Sequence, residues 1–394
     1  MKYPFTPAVL DVLPEELAGL FRALEITLLE EISKRLTVDK LNMATVADIK
    51  ALRAHGISLD EITKTVKATT GISDRKLNEL LADVVKKNQV YYGSVLDLAG
   101  LTAPRALVGA SVVNSIVRQT AGELKNITRS MGFLVDDGRT MLPPAKAYQW
   151  ALDNAIMQIE SEAISYGEAV DNATRVLADS GLQVVDYESG VRNHVDVAVR
   201  RAVMTGVNQI NRAYDEQGME YLQTDLVEVS AHAGARDKGD GFENHKAWQG
   251  KVYRWRRYTR MFPDASKGNY PDFEIECGYG DVQGILGANC RHKWTPFVEG
   301  VMERTYSDAE LANIDKPPFE YEGVTYTTYE ATQTQRKIET AIRHWKRRAA
   351  AAVTPSAELA AKSRIRILND KYREFSEAAG LRMQKQRANV YIKS

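Results

Sequence analysis

The sequence predicts a mostly α protein with a small α+β module, in which long amphipathic helices flank a compact, irregular core near residues 224–300. Three observations carry this. Apolar residues recur at three- and four-residue steps over most of the chain. Strict alternation is confined to short runs such as Leu226-Val227-Glu228-Val229-Ser230-Ala231. Residues 226–300 hold both cysteines, three of the six histidines and three of the five tryptophans, set among closely spaced glycines. That composition suits a tightly turning, cross-braced segment.

Composition sets the outer limits. A chain of 394 residues is long enough for a buried core, with two or three subdomains expected. Hydrophobic residues make up 44% and charged residues 26%, the balance of an ordinary globular protein. The N-terminus soon meets Asp11, Glu15 and Glu16 and has no signal-peptide apolar region. No run of 18 apolar residues occurs, so no membrane contact is expected and folding in the cytosol is. Two cysteines exclude a disulfide-rich secreted scaffold. The formal net charge of zero hides an asymmetry: residues 336–394 carry fifteen Lys and Arg against five Asp and Glu, a net of +10, and the first 335 residues carry the balancing −10.

Taken in order, residues 8–36 read as one amphipathic helix with Leu17, Leu20, Phe21, Leu24, Leu28 and Ile32 on one face. A helix over 45–55 closed by Gly56, then a capping box over 58–61, should follow. Gly71 should end that second helix and Ser73 cap a third, whose face is Leu77, Leu80, Leu81, Val84 and Val85. Residues 103–130 continue helical, and Pro143-Pro144 marks a boundary. Helices over 145–180, ending at Gly181, and over 191–222 lead into the module, joined by a turn at 187–190. Beyond it, Glu322-Gly323 sits in a short hairpin, residues 330–353 form a basic helix, Pro355 interrupts, and a last helix ends near Gly380. The expected linear division is 1–142, 143–223, 224–300, 301–335 and 336–394.

Within the module, His232, His245, Cys290 and His292 form a Cys/His set that zinc accepts. The spacing lacks the usual two close ligand pairs, so no cofactor is firmly implied. A buried polar network, in which the histidines bond to backbone carbonyls and Arg236, accounts for the same residues. A Cys277–Cys290 disulfide is a third reading, disfavoured in a reducing cytosol. Cys290 beside His292 invites a thiol-protease reading, but the local signatures of cysteine proteases, a Walker loop and HExxH are all absent, so no catalytic residue is assigned. Trp248, Tyr253, Trp255, Trp294 and Phe297 are expected to be core.

The blocks His232-x-Gly234-Ala235-Arg236, His245-x-x-Trp248-Gln249-Gly250-Lys251-Val252-Tyr253, Gly278-Tyr279-Gly280 and Gly287-x-Asn289-Cys290-Arg291-His292 resemble the phage minor capsid protein 2 family, related to the Mu F-like head morphogenesis proteins. The likeness extends to Val199-Arg200-Arg201-Ala202-Val203 and to Gln335-Arg336 through Lys346, and so covers almost the whole chain. One departure is a longer loop, residues 237–244, between the first two blocks. The resemblance implies a Mu F-like core in which Gly234, Arg236, Trp248, Gln249, Gly250, Tyr279, Asn289 and Arg291 are motif positions. It implies a non-enzymatic minor structural protein of a tailed-phage head, present in several copies per virion and made in the host cytoplasm. Its partners would be the portal protein and other head proteins, with packaged DNA a further candidate. A DNA-binding assembly, packaging or ejection factor is the alternative, and a virion-carried enzyme a third.

The basic end bears on that alternative. Arg343, Lys346 and Arg347 recur at three- and four-residue steps, with Arg348 adjacent, placing cations on one helical face. An anionic partner such as packaged DNA or an acidic portal surface would relieve their repulsion. Pairing with the acidic first 335 residues would do so equally.

Overall fold

A computed structural model describes residues 3–37, 60–160, 164–185, 190–287 and 290–390. The expected 45–55 helix, its Gly56 stop and most of the 58–61 capping box and 187–190 turn fall outside these residues. The described chain is mostly helical, with three small antiparallel sheets built from β1 (Met131–Val135), β2 (Thr140–Leu142), β3 (Leu182–Val185), β4 (Arg192–His194), β5 (Leu226–Val229), β6 (Val252–Arg254), β7 (Trp294–Phe297), β8 (Phe319–Tyr321) and β9 (Val324–Tyr326). Among the described residues no helix is long and apolar enough to cross a membrane.

Contacts gather the chain into two units, one of residues 1–14, 78–120 and 203–334, the other of residues 15–77, 121–202 and 335–394. These units do not follow the linear order of the chain. Helices Asp60–Leu98, Ala110–Ser130, Val195–Leu222 and Thr328–Ala351 each supply residues to both units, so segments remote in sequence fold together.

The second unit is built on the Glu15–Thr37 helix. The single helix expected over 8–36 is broken at Pro14, which has no N–H to donate back, leaving a short Pro7–Val12 helix before it. The six predicted face residues are all buried, and Ile26, Leu29 and Leu36 join them, as do the charged Glu15, Arg22 and Glu25, so this helix is buried on most sides. The helix expected over 145–180 is two, Pro144–Glu160 and Tyr166–Ser180. Ser165 and Glu168 form a reciprocal capping box at the second start, and Gly181, at φ 62°, closes it. A four-stranded sheet of order β2-β1-β3-β4 was not anticipated, because its strands span only three to five residues. Gly132 permits its close approach: a Cβ there would lie 2.5 Å from the Leu142 carbonyl oxygen. The pairing of β4 explains why the next helix begins at Val195 rather than near 191. Thr354 caps the last long helix, Pro355–Ala378, with Pro355 in its first turn.

The expected stop at Gly71 is not made. Asp60–Leu98 runs through it as one helix, and the Ser73 hydroxyl donates back to the Thr70 carbonyl at 2.8 Å instead of capping. One glycine costs a helix only about 1 kcal/mol relative to alanine, too little to end it without a competing turn.

In the first unit the module forms as predicted around a sheet of order β6-β5-β7. Val227 pairs with Tyr253 and Val229 with Trp294, which puts all four on one face. That face meets Trp248, Trp255, Tyr258, Phe273, Cys277 and Ile285 in a buried cluster. Leu226, Val252 and Phe297 fill the other face. Trp255 is the hub, with ring centroids 4.9 Å from Trp294, 5.1 Å from Tyr258 and 5.2 Å from Phe273, all edge-on or tilted. The β8–β9 hairpin turns at Glu322 and Gly323, both at positive φ, as a two-residue turn requires.

Candidate functional site

The loop after β5, the short His245–Trp248 helix and the segment entering β7 bring the predicted Cys/His residues together. His245, Cys290 and His292 each offer one ligand atom, and these atoms lie within 4.8 Å of one another. His232 joins them without entering that set: its ring stacks on His292 with centroids 4.5 Å apart. His245 meets the His292 ring edge-on at 5.3 Å, and Trp248 does so at 4.7 Å. His245 and His292 are buried, and Cys290 is half-buried. Both cysteines are free thiols, in line with the disulfide being the disfavoured reading; Cys277 sits at 0% exposure in the aromatic core.

Each imidazole is fixed from its far side. His245 Nε2 lies 2.8 Å from the Gln283 carbonyl and donates to it, so Nδ1 keeps its lone pair. Gln249 Oε1 accepts from the His232 backbone N–H at 3.0 Å, and His292 Nε2 donates to the same oxygen at 3.1 Å. His292 Nδ1 then presents its lone pair to Cys290 Sγ at 3.6 Å. His232 Nδ1 donates to the Ala233 carbonyl at 2.9 Å. Burial depresses all three histidines, taking His232 to about 4 and His292 well below its ordinary value, and it raises the Cys290 thiol. The cluster is thus a set of neutral donors.

The other motif residues build the frame. The Trp248 indole N–H donates to the Phe242 carbonyl at 2.9 Å, and the Tyr253 hydroxyl to the Trp248 carbonyl at 2.7 Å. Arg236 shares the Gln283 carbonyl with His245 at 3.2 Å. Gly250 stands at φ 71° where a Cβ would fall 2.3 Å from Leu311 Cδ2. The Gly234 amide donates to Asp315 at 2.7 Å. Tyr279 packs on Trp255 at 4.9 Å, and Arg291 lies 3.7 Å from Asp11. Asn289 falls outside the described residues.

Sequence reasoning missed a second buried group. Asp215 accepts from the Tyr92 hydroxyl at 2.5 Å and pairs with Lys293 at 2.7 Å, all three buried. Burial lowers Lys293 to about 8 against the pull of Asp215. The signal was a lysine directly after His292, entering an apolar strand.

The cations assigned to an anionic partner are turned inward. Arg343 donates to the Arg387 carbonyl at 2.7 Å and lies 3.8 Å from Asp196. Lys346 donates to the Ala388 carbonyl at 2.9 Å. Arg347, 6% exposed, donates to the Ala178 carbonyl at 2.9 Å and pairs with Glu25 at 3.7 Å. Arg348 grips Asp179 through two bonds of 2.5 and 2.6 Å. Carboxylates and helix-end carbonyls of the same unit thus engage these cations, the second of the two pairings the sequence left open.

The family model for phage minor capsid protein 2 matches residues 5–377, and the chain belongs to that family. It is also similar to a protein named "Structural protein" from Lactococcus phage LL-H, 25% identical over 339 residues and covering 83% of each chain. No solved structure matches.

Proposed function

We propose that this protein is a non-enzymatic minor component of a tailed-phage head, acting in head assembly at the portal vertex in several copies per virion. The family match over residues 5–377 carries the reading, and the LL-H relative, named as a structural protein, supports it. The chemistry of the module is consistent with it. A cysteine nucleophile needs a thiolate, favoured by an electropositive setting. Cys290 instead has its thiol raised by burial, beside an imidazole that burial keeps neutral. Packaged DNA gains no support from Arg343, Lys346 and Arg347, whose donors already have internal acceptors. The partners are therefore proteins, the portal protein first. Cross-linking of purified virions followed by mass spectrometry tests this. Linked peptides should join this chain to the portal protein, whereas links only to tail proteins, or a polypeptide absent from finished particles, would refute the placement.

A further inference from the structure

We propose that His245, Cys290 and His292 bind one zinc ion, with water completing the fourth position. The thiol and one imidazole already stand at the spacing zinc imposes. Zinc bonds of about 2.05 Å to imidazole nitrogen and about 2.3 Å to thiolate, at a tetrahedral angle, separate the two ligand atoms by about 3.6 Å. Cys290 Sγ and His292 Nδ1 stand 3.6 Å apart. A ring nitrogen of His245 falls within 4.8 Å of both, so this arm closes in by up to about 1 Å when the ion binds.

The tautomers agree with this. A metal-ligating histidine characteristically donates its other ring N–H to an oxygen, which fixes the ring and aims the free lone pair. Here His245 donates through Nε2 to the Gln283 carbonyl and His292 through Nε2 to Gln249 Oε1, leaving Nδ1 of each for the ion. Gln249 is itself held by the His232 backbone N–H, and the Gln283 carbonyl by Arg236. These outer partners lie on different segments of the module, so an ion would tie the His245–Trp248 helix to the strand entry at residue 292. Without an ion, the thiol and His292 share only one long S–H···N contact. With zinc, the S–H bond breaks, the thiolate sulfur and the two nitrogens each give a lone pair to the ion, and the proton leaves to solvent. One thiolate with imidazole is a soft, nitrogen-containing set that suits zinc and not magnesium or calcium.

This assignment does not depend on where the protein sits in the particle. The full chain, purified without added chelator, should contain about one zinc by elemental analysis. After stripping with chelator it should take up one zinc ion from micromolar zinc chloride. Cys290→Ala should abolish uptake, Cys277→Ala should leave it intact, and Gln249→Ala, which removes the oxygen that accepts from His292 Nε2, should weaken affinity by about 10–100-fold. Should Cys290→Ala fail to fold, cobalt(II) loaded into the wild-type chain gives the answer, because a bound thiolate produces an intense sulfur-to-cobalt absorption. No metal in the purified chain together with no uptake by the stripped chain would overturn the proposal. So would zinc retained in folded Cys290→Ala, or cobalt bound without the thiolate band.

Discussion

The ion-pair network of the second unit and the His–Cys centre of the first both bury polar groups, but they satisfy them in opposite ways. Arg22, Arg343 and Arg347 each meet a carboxylate and a main-chain carbonyl: Glu15 with Asn389, Asp196 with Arg387, and Glu25 with Ala178. The charges stay, and partners brought from across the sequence answer them. Burial pushes Asp196 up, but Arg343 and Arg22 more than offset this and hold its carboxyl below the ordinary value. In the centre the groups are neutral, their partners lie between residues 232 and 292, and the residual bonding capacity is lone pairs rather than charge. A charged network fails when one member is lost, because the rest are stranded. A neutral cluster tolerates loss better and can still accept a cation.

The largest effect should separate the two regions. Arg22→Met takes the guanidinium shared by the buried Glu15 and Asp196 carboxylates and the donor to the Asn389 and Gln386 carbonyls, while Arg200, Arg387 and Arg343 remain, and should cost about 3 kcal/mol in chemical denaturation. An effect below about 1 kcal/mol would show the network to be a solvated ornament. In the module a comparable loss needs a core aromatic: Trp255→Ala should cost about 3–5 kcal/mol.

A pH titration sharpens the contrast next. His194 in the second unit is held at about 4 by burial and by Arg347, and its Nδ1 has no hydrogen-bond partner. Its folded pKa is below the unfolded value, so the unfolded chain binds the proton first. The contribution is complete above about pH 6.5 and falls away as pH drops toward 4, by up to about 3 kcal/mol. His194→Gln should flatten that window in a thermal-melt series, and an unchanged slope would contradict the assignment.

Smaller effects follow. Gly250→Ala forces a Cβ at φ 71° into Leu311 and should cost about 1–3 kcal/mol, read as a lowered Tm. Arg348→Ala removes a half-exposed pair with Asp179 and should cost at most about 1 kcal/mol.

How much of this was legible in the sequence depended on whether the determining contacts were local. The module's aromatic core and the β8–β9 hairpin followed from alternation and turn residues within a few positions. Three of the four proposed ligands converge, and the motif glycines sit where backbone demands them. The break at Pro14 and the Ser165–Glu168 cap were written locally and were overlooked. The β1–β4 sheet was harder, since strands of three to five residues carry little periodicity. The basic stripe left two readings open for a physical reason: Arg343 and Arg347 meet Asp196 and Glu25, some 150 and 320 residues away in sequence, and spacing within one helix says nothing about such partners.

The most direct test of this contrast is the triple variant in which Arg343, Lys346 and Arg347 become alanine. Unfolding and DNA retention should be measured on the same full-length sample at low and high salt. Internal wiring predicts a loss of several kcal/mol in stability and no change in DNA retention or its salt dependence. A variant that keeps wild-type stability while losing salt-sensitive DNA retention would contradict the account and return these cations to an anionic partner.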